Sequence, residues 1–310
     1  MRKAGFDMAY IVKYIKDFSD TELVKQACSR ELRLGYKIMV FSHTDNTCGL
    51  EMENVAFVFC DNPTEQAILS AKKLYAEKCQ FYVKRAVYSV DPVVYSEAVK
   101  LKELDYESAQ ELSVNGYNEI SYDDFNLAKR NSVRMEIMSL TDCEGTTIKE
   151  VTTMDENVIK SMSKDTDILV VTLTEIPDRK GSTYNIFRTL SEADVFVDSI
   201  MLPAANSGQQ DISFCVRKED KCKVQQLLWD RQEQLQFENL FVSEDVAKIS
   251  VMGAGFHTQK GIATKVLQVL YENDINIMMI FTSEVKISLV IEKSQADRAI
   301  HAIHKNLIGR

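Results

Sequence analysis

ILVVTLTEIPDRKG at residues 168–181 and KISVMG at 248–253, the latter followed by the turn TQKG at 258–261, decide the fold, because each opens the same series of elements. In the first copy the β-branched run 168–174 reads as a strand that ends at the turn 177–181, and a helix fits 183–193, with Ile186, Phe187, Leu190 and Ala193 at helical spacing. Strands at 195–200 and 211–216 form a hairpin, and 221–234 supplies a second helix. In the second copy, strand 249–253 leads into a helix whose apolar face is Ala263, Val266, Leu267 and Leu270. Paired strands at 275–280 and 285–291 follow, and a helix from 294 to about 306 closes the copy. Gly181 and Gly261, Leu190 and Leu270, and Asp194 and Asp274 are each 80 positions apart, whereas Ile212 and Ile287 are 75 apart, so the first hairpin loop is longer. Such repetition favours two small antiparallel sheets with helices on one face over one long doubly wound sheet.

Composition limits what the chain does. Apolar residues make up 45% of the 310 and charged residues 27%, enough for real cores and against wholesale disorder. With 37 Lys and Arg against 46 Asp and Glu the formal charge is -9, which disfavours a nucleic-acid or anionic-membrane surface. The longest apolar stretches, such as 55–60, are strand length, far below the roughly 20 residues of a membrane helix. Lys3, Asp7 and Lys13 interrupt the first thirteen residues, so no signal peptide is expected and a cytoplasmic location follows. Seven cysteines, at 28, 48, 60, 79, 143, 215 and 222, lack metal or redox spacing and read as reduced structural thiols. The four histidines offer no metal site, and His301 and His304 read as surface or flanking residues of the last helix.

The first 150 residues alternate helix and strand, which favours an α/β layer. Helix 20–35, strand 37–42, strand 55–60, helix 64–76 capped by Thr64, strand 81–83, helices 106–114 and 122–129, and strand 134–138 follow in order.

These segments resemble the aspartate kinase family. Residues 170–181, Val197-Asp198 and 211–214 resemble its first ACT domain; 246–253, 261–263, 275–277 and 282–288 resemble its second. Upstream, 87–92 is similar to the Val-Tyr-x-x-Asp-Pro element of the amino-acid-kinase domain. Leu104-Asp105-Tyr106 with Glu111, Leu112 and Gly116 looks like the helix after it, and Gly145-Thr146 falls at the family's Gly-Thr. The resemblance implies a reduced, degenerate amino-acid-kinase-like α/β layer over 1–150 and two ferredoxin-like ACT domains over 157–240 and 245–310.

Departures from the family matter for activity. The Lys-Phe-Gly-Gly element is not found, the Gly-Arg-Gly-Gly-Ser-Asp loop falls on 59–65 with Pro63 and two acidic side chains, and the expected Thr-Asp is replaced at Tyr82-Val83. Proline removes an amide and carboxylates repel phosphate. No catalytic residue, metal or cofactor is therefore assigned. An active divergent enzyme would need ATP, Mg²⁺ and a replacement cation, for which Lys72, Lys84 and Arg85 are the nearby choices.

The resemblance also implies an effector site at the helix N-termini. Asp178 and Gly181 in the first copy, and Gly255, His257, Thr258 and Gly261 in the second, match the ligand loop, where amides meet a ligand carboxylate. Turn chemistry explains Asp178 and the glycines as well. Thr282, Ser283 and Glu284 match the family, with a structural role at a sheet edge preferred. Leu202-Pro203 replaces an amide pair, which weakens the first site. The expected function is a silent aspartate-kinase homologue that senses lysine or threonine, as a homodimer joined through its ACT domains or with a catalytic aspartate kinase, and without nucleic-acid or membrane partners. The alternatives are an active divergent aspartate kinase and an ACT-mediated assembly scaffold.

Overall fold

The computed structural model describes residues 9–16, 21–43, 51–114, 117, 119–139, 144–150, 159–204, 208–253, 256, 261–283 and 285–308. The chain divides into two compact units, 1–161 with 252–258 and 162–251 with 259–310.

The N-terminal unit contains β1 (Tyr10–Ile15), α1 (Thr21–Arg33), β2 (Lys37–Ser42), β3 (Val55–Phe59), α2 (Pro63–Lys73), β4 (Lys78–Val83), β5 (Glu103–Leu104), α3 (Tyr106–Val114), α4 (Tyr122–Asn131), β6 (Met135–Ser139) and β7 (Thr146–Ile148). Its sheet has the order β3-β2-β1-β4-β6-β7-β5. The first five strands in that order are parallel, and β7 turns antiparallel to β6. Strand alternation explains how the layers form. Val12, Tyr14, Cys79, Phe81, Met135 and Ile137 face α2, α3 and α4, where Ile68, Leu112 and Phe125 complete a core. The opposite face places Ile15, Ile38, Val40 and Tyr82 against Val24 and Cys28 of α1.

Lys13 interrupts that second face. It is fully buried, and its Nζ donates to Ala27 O (2.5 Å), Gln80 Oε1 (2.6 Å), Tyr82 Oη (3.1 Å) and Glu31 Oε2 (3.2 Å). Burial lowers its pKa, and the adjacent Glu31 carboxylate opposes that shift. Strand β1 as a whole has no counterpart in the sequence reading, because a lysine within an apolar run hides the strand.

The C-terminal unit adds β8 (Ser161–Asp165), β9 (Ile168–Pro177), α5 (Ser182–Glu192), β10 (Val197–Met201), β11 (Gln209–Arg217), α6 (Lys221–Asp230), α7 (Gln232–Leu235), β12 (Asn239–Ser243), β13 (Val246–Met252), α8 (Ile262–Glu272), β14 (Ile277–Thr282), β15 (Lys286–Glu292) and α9 (Ala296–Ile303). Two four-stranded sheets result, β10-β11-β9-β12 and β14-β15-β13-β8. The repeat carries through to backbone detail. Gly181 (φ 96°) and Gly261 (φ 88°) occupy left-handed positions before α5 and α8, and Asp194 (φ 53°) and Asp274 (φ 54°) occupy them after the same helices. Thr172 and Ser213 share a hydroxyl hydrogen bond of 2.9 Å across the first sheet, and Ser250 and Ser288 one of 3.0 Å across the second. The first repeat uses its own β12 as fourth strand; the second borrows β8, which precedes the first repeat in the chain.

Both faces of β9 are covered, which is why its sequence is almost continuously apolar. Leu169, Val171 and Leu173 pack on Ile186, Leu190, Val224 and Leu228 of the helices. Ile168 and Val170, with Cys215, instead pack on Val246, Met279 and Val290 of the second repeat.

Several local expectations change. Helix α2 begins at Pro63 with Asn62 as N-cap and no side-chain cap, so Thr64 lies in the first turn: proline's fixed φ suits the position where a missing N–H costs nothing. The stretch 221–234 breaks into α6 and α7. His304 is buried at 2% exposure beyond Ile303, while His301 is exposed. Met279 fills the core between the repeats, leaving Met278 as the exposed member of that pair.

Lys13 and Glu31 hold opposite charges in the same buried site, so removing one strands the other. Lys13→Met should cost about 3–5 kcal/mol, and adding Glu31→Leu should recover most of that loss. Urea unfolding of the full chain measures both; a cost below about 1 kcal/mol for Lys13→Met would show that the pair contributes little.

Candidate functional site

In the first repeat the turn before α5 is fixed by backbone geometry. Asp178 N donates to Gly208 O at 2.9 Å, tying the turn to the hairpin loop, while Ser182 N reaches Arg179 O at 3.2 Å and Asn185 N reaches Gly181 O at 2.9 Å. No side chain caps α5, so its first-turn amides and dipole point outward beside the exposed Asp178. The second repeat repeats the geometry, with Lys265 N donating to Gly261 O at 3.0 Å. Gly255, His257, Thr258 and Glu284 lie outside the described residues.

Thr282 ends β14, and Ser283 closes the hairpin: its N donates to Lys286 O (2.9 Å), and its Oγ accepts from Lys286 N (3.2 Å). These bonds give Ser283 a turn-forming role. Leu202 is 47% exposed just beyond β10. An amide that the sequence reading did not single out lies beside the helix start: Gln210 Nε2 lies 3.5 Å from Thr183 Oγ1 in the first turn of α5. Alternation along β11 was the available signal, since Gln210 shares a face with Ile212 and Phe214.

The repeats are joined by charge as well as by apolar packing. Lys248 of β13 is 11% exposed; it hydrogen-bonds Asp198 of β10 and lies 4.0 Å from Asp165 of β8. Burial pushes the Asp198 pKa up, but the Lys248 hydrogen bond and charge outweigh it, so the carboxyl stays below its ordinary value. Asp198 precedes Ser199, whose φ of 54° marks a bulge where β10 shifts register against β11. Burial raises the nearby Cys215 thiol to about 12, leaving it protonated and unreactive at neutral pH.

A different site lies in the N-terminal unit. Strand order reverses between β1 and β4, and crevices beyond the C-terminal ends of such strands are where doubly wound sheets bind ligands. Lys16 follows β1, and Lys84 and Arg85 follow β4. Lys16 Nζ lies 2.9 Å from Glu119, while Arg85 lies 3.8 Å from Glu119 and 3.3 Å from Asp91. Glu119, 103 residues from Lys16 in sequence, is the residue here that no local pattern announces. Lys72 lies in the last turn of α2 and donates to Asn131 O at 2.9 Å, at the opposite end of the layer. Of the three cations considered for phosphate, only Lys84 and Arg85 therefore lie near the crevice.

A doubly wound unit followed by two βαββα repeats, each sheet completed by one further strand (β12 or β8), defines an α/β protein with a C-terminal ACT-type region, and residues 249–307 match the ACT domain family. An aspartokinase of Bacillus sp. strain MGA3 is 31% identical over 242 residues, 77% of this chain and 59% of that protein. An aspartate kinase of Stutzerimonas stutzeri strain A1501 is 27% identical over 285 residues, 90% of this chain and 68% of that protein. Among solved structures, Clostridium acetobutylicum aspartate kinase superposes with a TM-score of 0.72 over 95% of this chain and 68% of that one, at 15% identity. E. coli aspartokinase III in complex with lysine and aspartate gives 0.65 over 96% and 69%, at 16% identity. The chain is a homologue of the aspartokinases across most of its length. It spans about three-fifths of the length of the Bacillus relative.

The folded Asp198 carboxyl has a lowered pKa, so its stabilising effect is complete above the unfolded value of about 3.9 and disappears as pH falls through the lower folded value. Lys248→Met should therefore lower the melting temperature at pH 7, and the gap to the parent should close as pH drops below about 4. Calorimetric melting between pH 7 and pH 3 measures this; a pH-independent gap would assign the effect to lost packing of the lysine stem.

Proposed function

We propose that this chain is a catalytically silent aspartokinase homologue that binds an amino acid through its ACT repeats and regulates the aspartate pathway. The contrast between its two candidate sites supports this reading. Both repeats keep a left-handed glycine ahead of an uncapped helix, the arrangement that receives a ligand carboxylate. At the crevice of the N-terminal unit, Lys16 and Arg85 are matched by Glu119 and Asp91, and Pro63 occupies the first position of α2. A phosphate site needs unmatched positive charge and donor amides, and this arrangement supplies little of either.

Lysine and threonine are the first effectors to test, since lysine is present in the E. coli aspartokinase III complex. In this reading Asp178, Gly181 and Gly261 form the described part of the effector loops, with Gly255, His257 and Thr258 completing the second. Gln210, beside Thr183 in the first turn of α5, is an amide that this reading adds to the first loop. Self-association through the ACT edges is supported by Ile200 and Leu202 at the β10 edge and by Met278 and Ile280 on β14, all exposed. Free Cys28, Cys60, Cys79, Cys215 and Cys222 suit a reducing cytoplasm, and no helix among the described residues is long and apolar enough to cross a membrane.

An active divergent kinase is the second reading, favoured by Lys84 and Arg85 beside the crevice. An aspartyl hydroxamate assay separates the two: the silent reading expects no product that depends on both ATP and aspartate. A product lost on Arg85→Ala establishes the kinase.

Thermal melting against the twenty amino acids tests the sensor. A ligand at 100 times its Kd should add about 2.7 kcal/mol of stability. Gly261→Val should abolish that shift while costing about 1–2 kcal/mol for a side chain at positive φ. Gly35→Val, also at positive φ (82°) but in the N-terminal unit, should carry a similar cost and keep the shift. Leu202→Gln should strengthen binding. No stabilisation by any amino acid at millimolar concentration would favour an assembly scaffold.

A further inference from the structure

Helix α1 covers only part of its face of the N-terminal sheet, and beside it a cleft of about 700 Å³ runs over β4, β6 and β7. Its size lies within the roughly 300–1,000 Å³ of small-molecule sites. Helix α1 descends between the parallel strands β1 and β2, so Arg30 in its last turn lies toward the N-terminal ends of the strands. Lys78, the first residue of β4, lines the same cleft. The cleft is thus at the end of the sheet opposite the crevice containing Lys16 and Arg85.

Its floor is polar and ordered. Gln80 (3% exposed) accepts from Lys13 and donates to Glu136 Oε2 at 2.9 Å, and Glu136 also meets Lys78 at 3.2 Å and Arg134 at 3.9 Å. An apolar helix laid over this floor would bury Glu136 and its partners without new hydrogen bonds, a cost that argues for a polar occupant. The rim supplies the charge. Arg30 and Lys102 both line the cleft, and neither has an ion pair or side-chain hydrogen bond among the described residues. The lining carries three cations (Arg30, Lys78, Lys102) and three anions (Glu31, Glu136, Glu144); Lys78 is paired with Glu136 and Glu31 with the buried Lys13, which leaves Arg30 and Lys102 against Glu144.

We propose that this cleft is a second ligand site, which takes a small organic anion: Arg30 and Lys102 hold its carboxylate or phosphate, and its polar body lies over Gln80 and Glu136. Arginine and lysine at a half-open, hydrogen-bonded site suit such a group, because charge-assisted bonds there are stronger than neutral ones. The site is independent of the ACT loops.

Titration calorimetry on the full chain at constant ionic strength tests it, with citrate as the carboxylate probe and AMP as the phosphate probe. Saturable single-site binding of at least one is expected, weakened about tenfold or more by Arg30→Gln and by Lys102→Gln. Both replaced side chains are exposed, so melting should stay near the parent value. Gly261→Val should leave this binding unchanged, which separates it from any effector site in the repeats. Absence of saturable binding by both probes, or binding that neither substitution weakens, overturns the proposal. So does self-association of the chain that Arg30→Gln disrupts in sedimentation while no anion binds.

Discussion

Strand β8 belongs to the second repeat's sheet although it precedes the first repeat in the chain. It lies beside β13, so the chain leaves the second sheet at Asp165, completes the whole first repeat from Ile168 to Ser243, and returns through Val246. The first repeat is in effect inserted into the second. Without β8 the β13 edge would expose a row of unpaired amides and carbonyls, which is costly in any sheet. This connectivity brings Ile168, Val170 and Cys215 onto Val246, Met279 and Val290, and places Lys248 within reach of both Asp165 and Asp198.

That arrangement has a mechanical consequence. Strand β10, which leads to Leu202 and the longer hairpin loop of the first repeat, is anchored at Asp198 to a lysine in the second repeat. A ligand held at the Gly261 end of α8 would act on a body that already includes β10, because Lys248 lies on β13, the strand that precedes α8. The bulge at Ser199 beside the ion pair is one place where the two repeats meet, along with the apolar contacts of Ile168, Val170 and Cys215 on Val246, Met279 and Val290. In the N-terminal unit a buried network takes the corresponding place: Lys13, Glu31, Gln80 and Tyr82 join α1 to β1 and β4 through hydrogen bonds rather than apolar contact alone.

The repeat was legible because its helices and turns obey short-range rules. Gly181 and Gly261, and Asp194 and Asp274, mark the same backbone conformations, and apolar spacing in between gives the buried faces. Strand β8 was not legible, since SMSKD at 161–165 carries two charges and no β-branched residue, and only its partner in the second sheet makes it a strand. Strand β1 was hidden by Lys13, whose burial depends on Glu31 and Gln80, 18 and 67 residues away. The same limit applies to the sites. The glycine turns announce themselves locally, but the match between Lys16 and Glu119, and the polar cleft beside α1, are products of tertiary folding.

Native-state hydrogen exchange on the full chain tests most directly whether the two repeats form one body. The amides of β9 and β11 in the first sheet and of β13 and β15 in the second should open with one common free energy, together with those of β8. Exchange of the β9 and β11 amides through a separate, lower-energy opening that leaves β13, β15 and β8 protected would contradict the account.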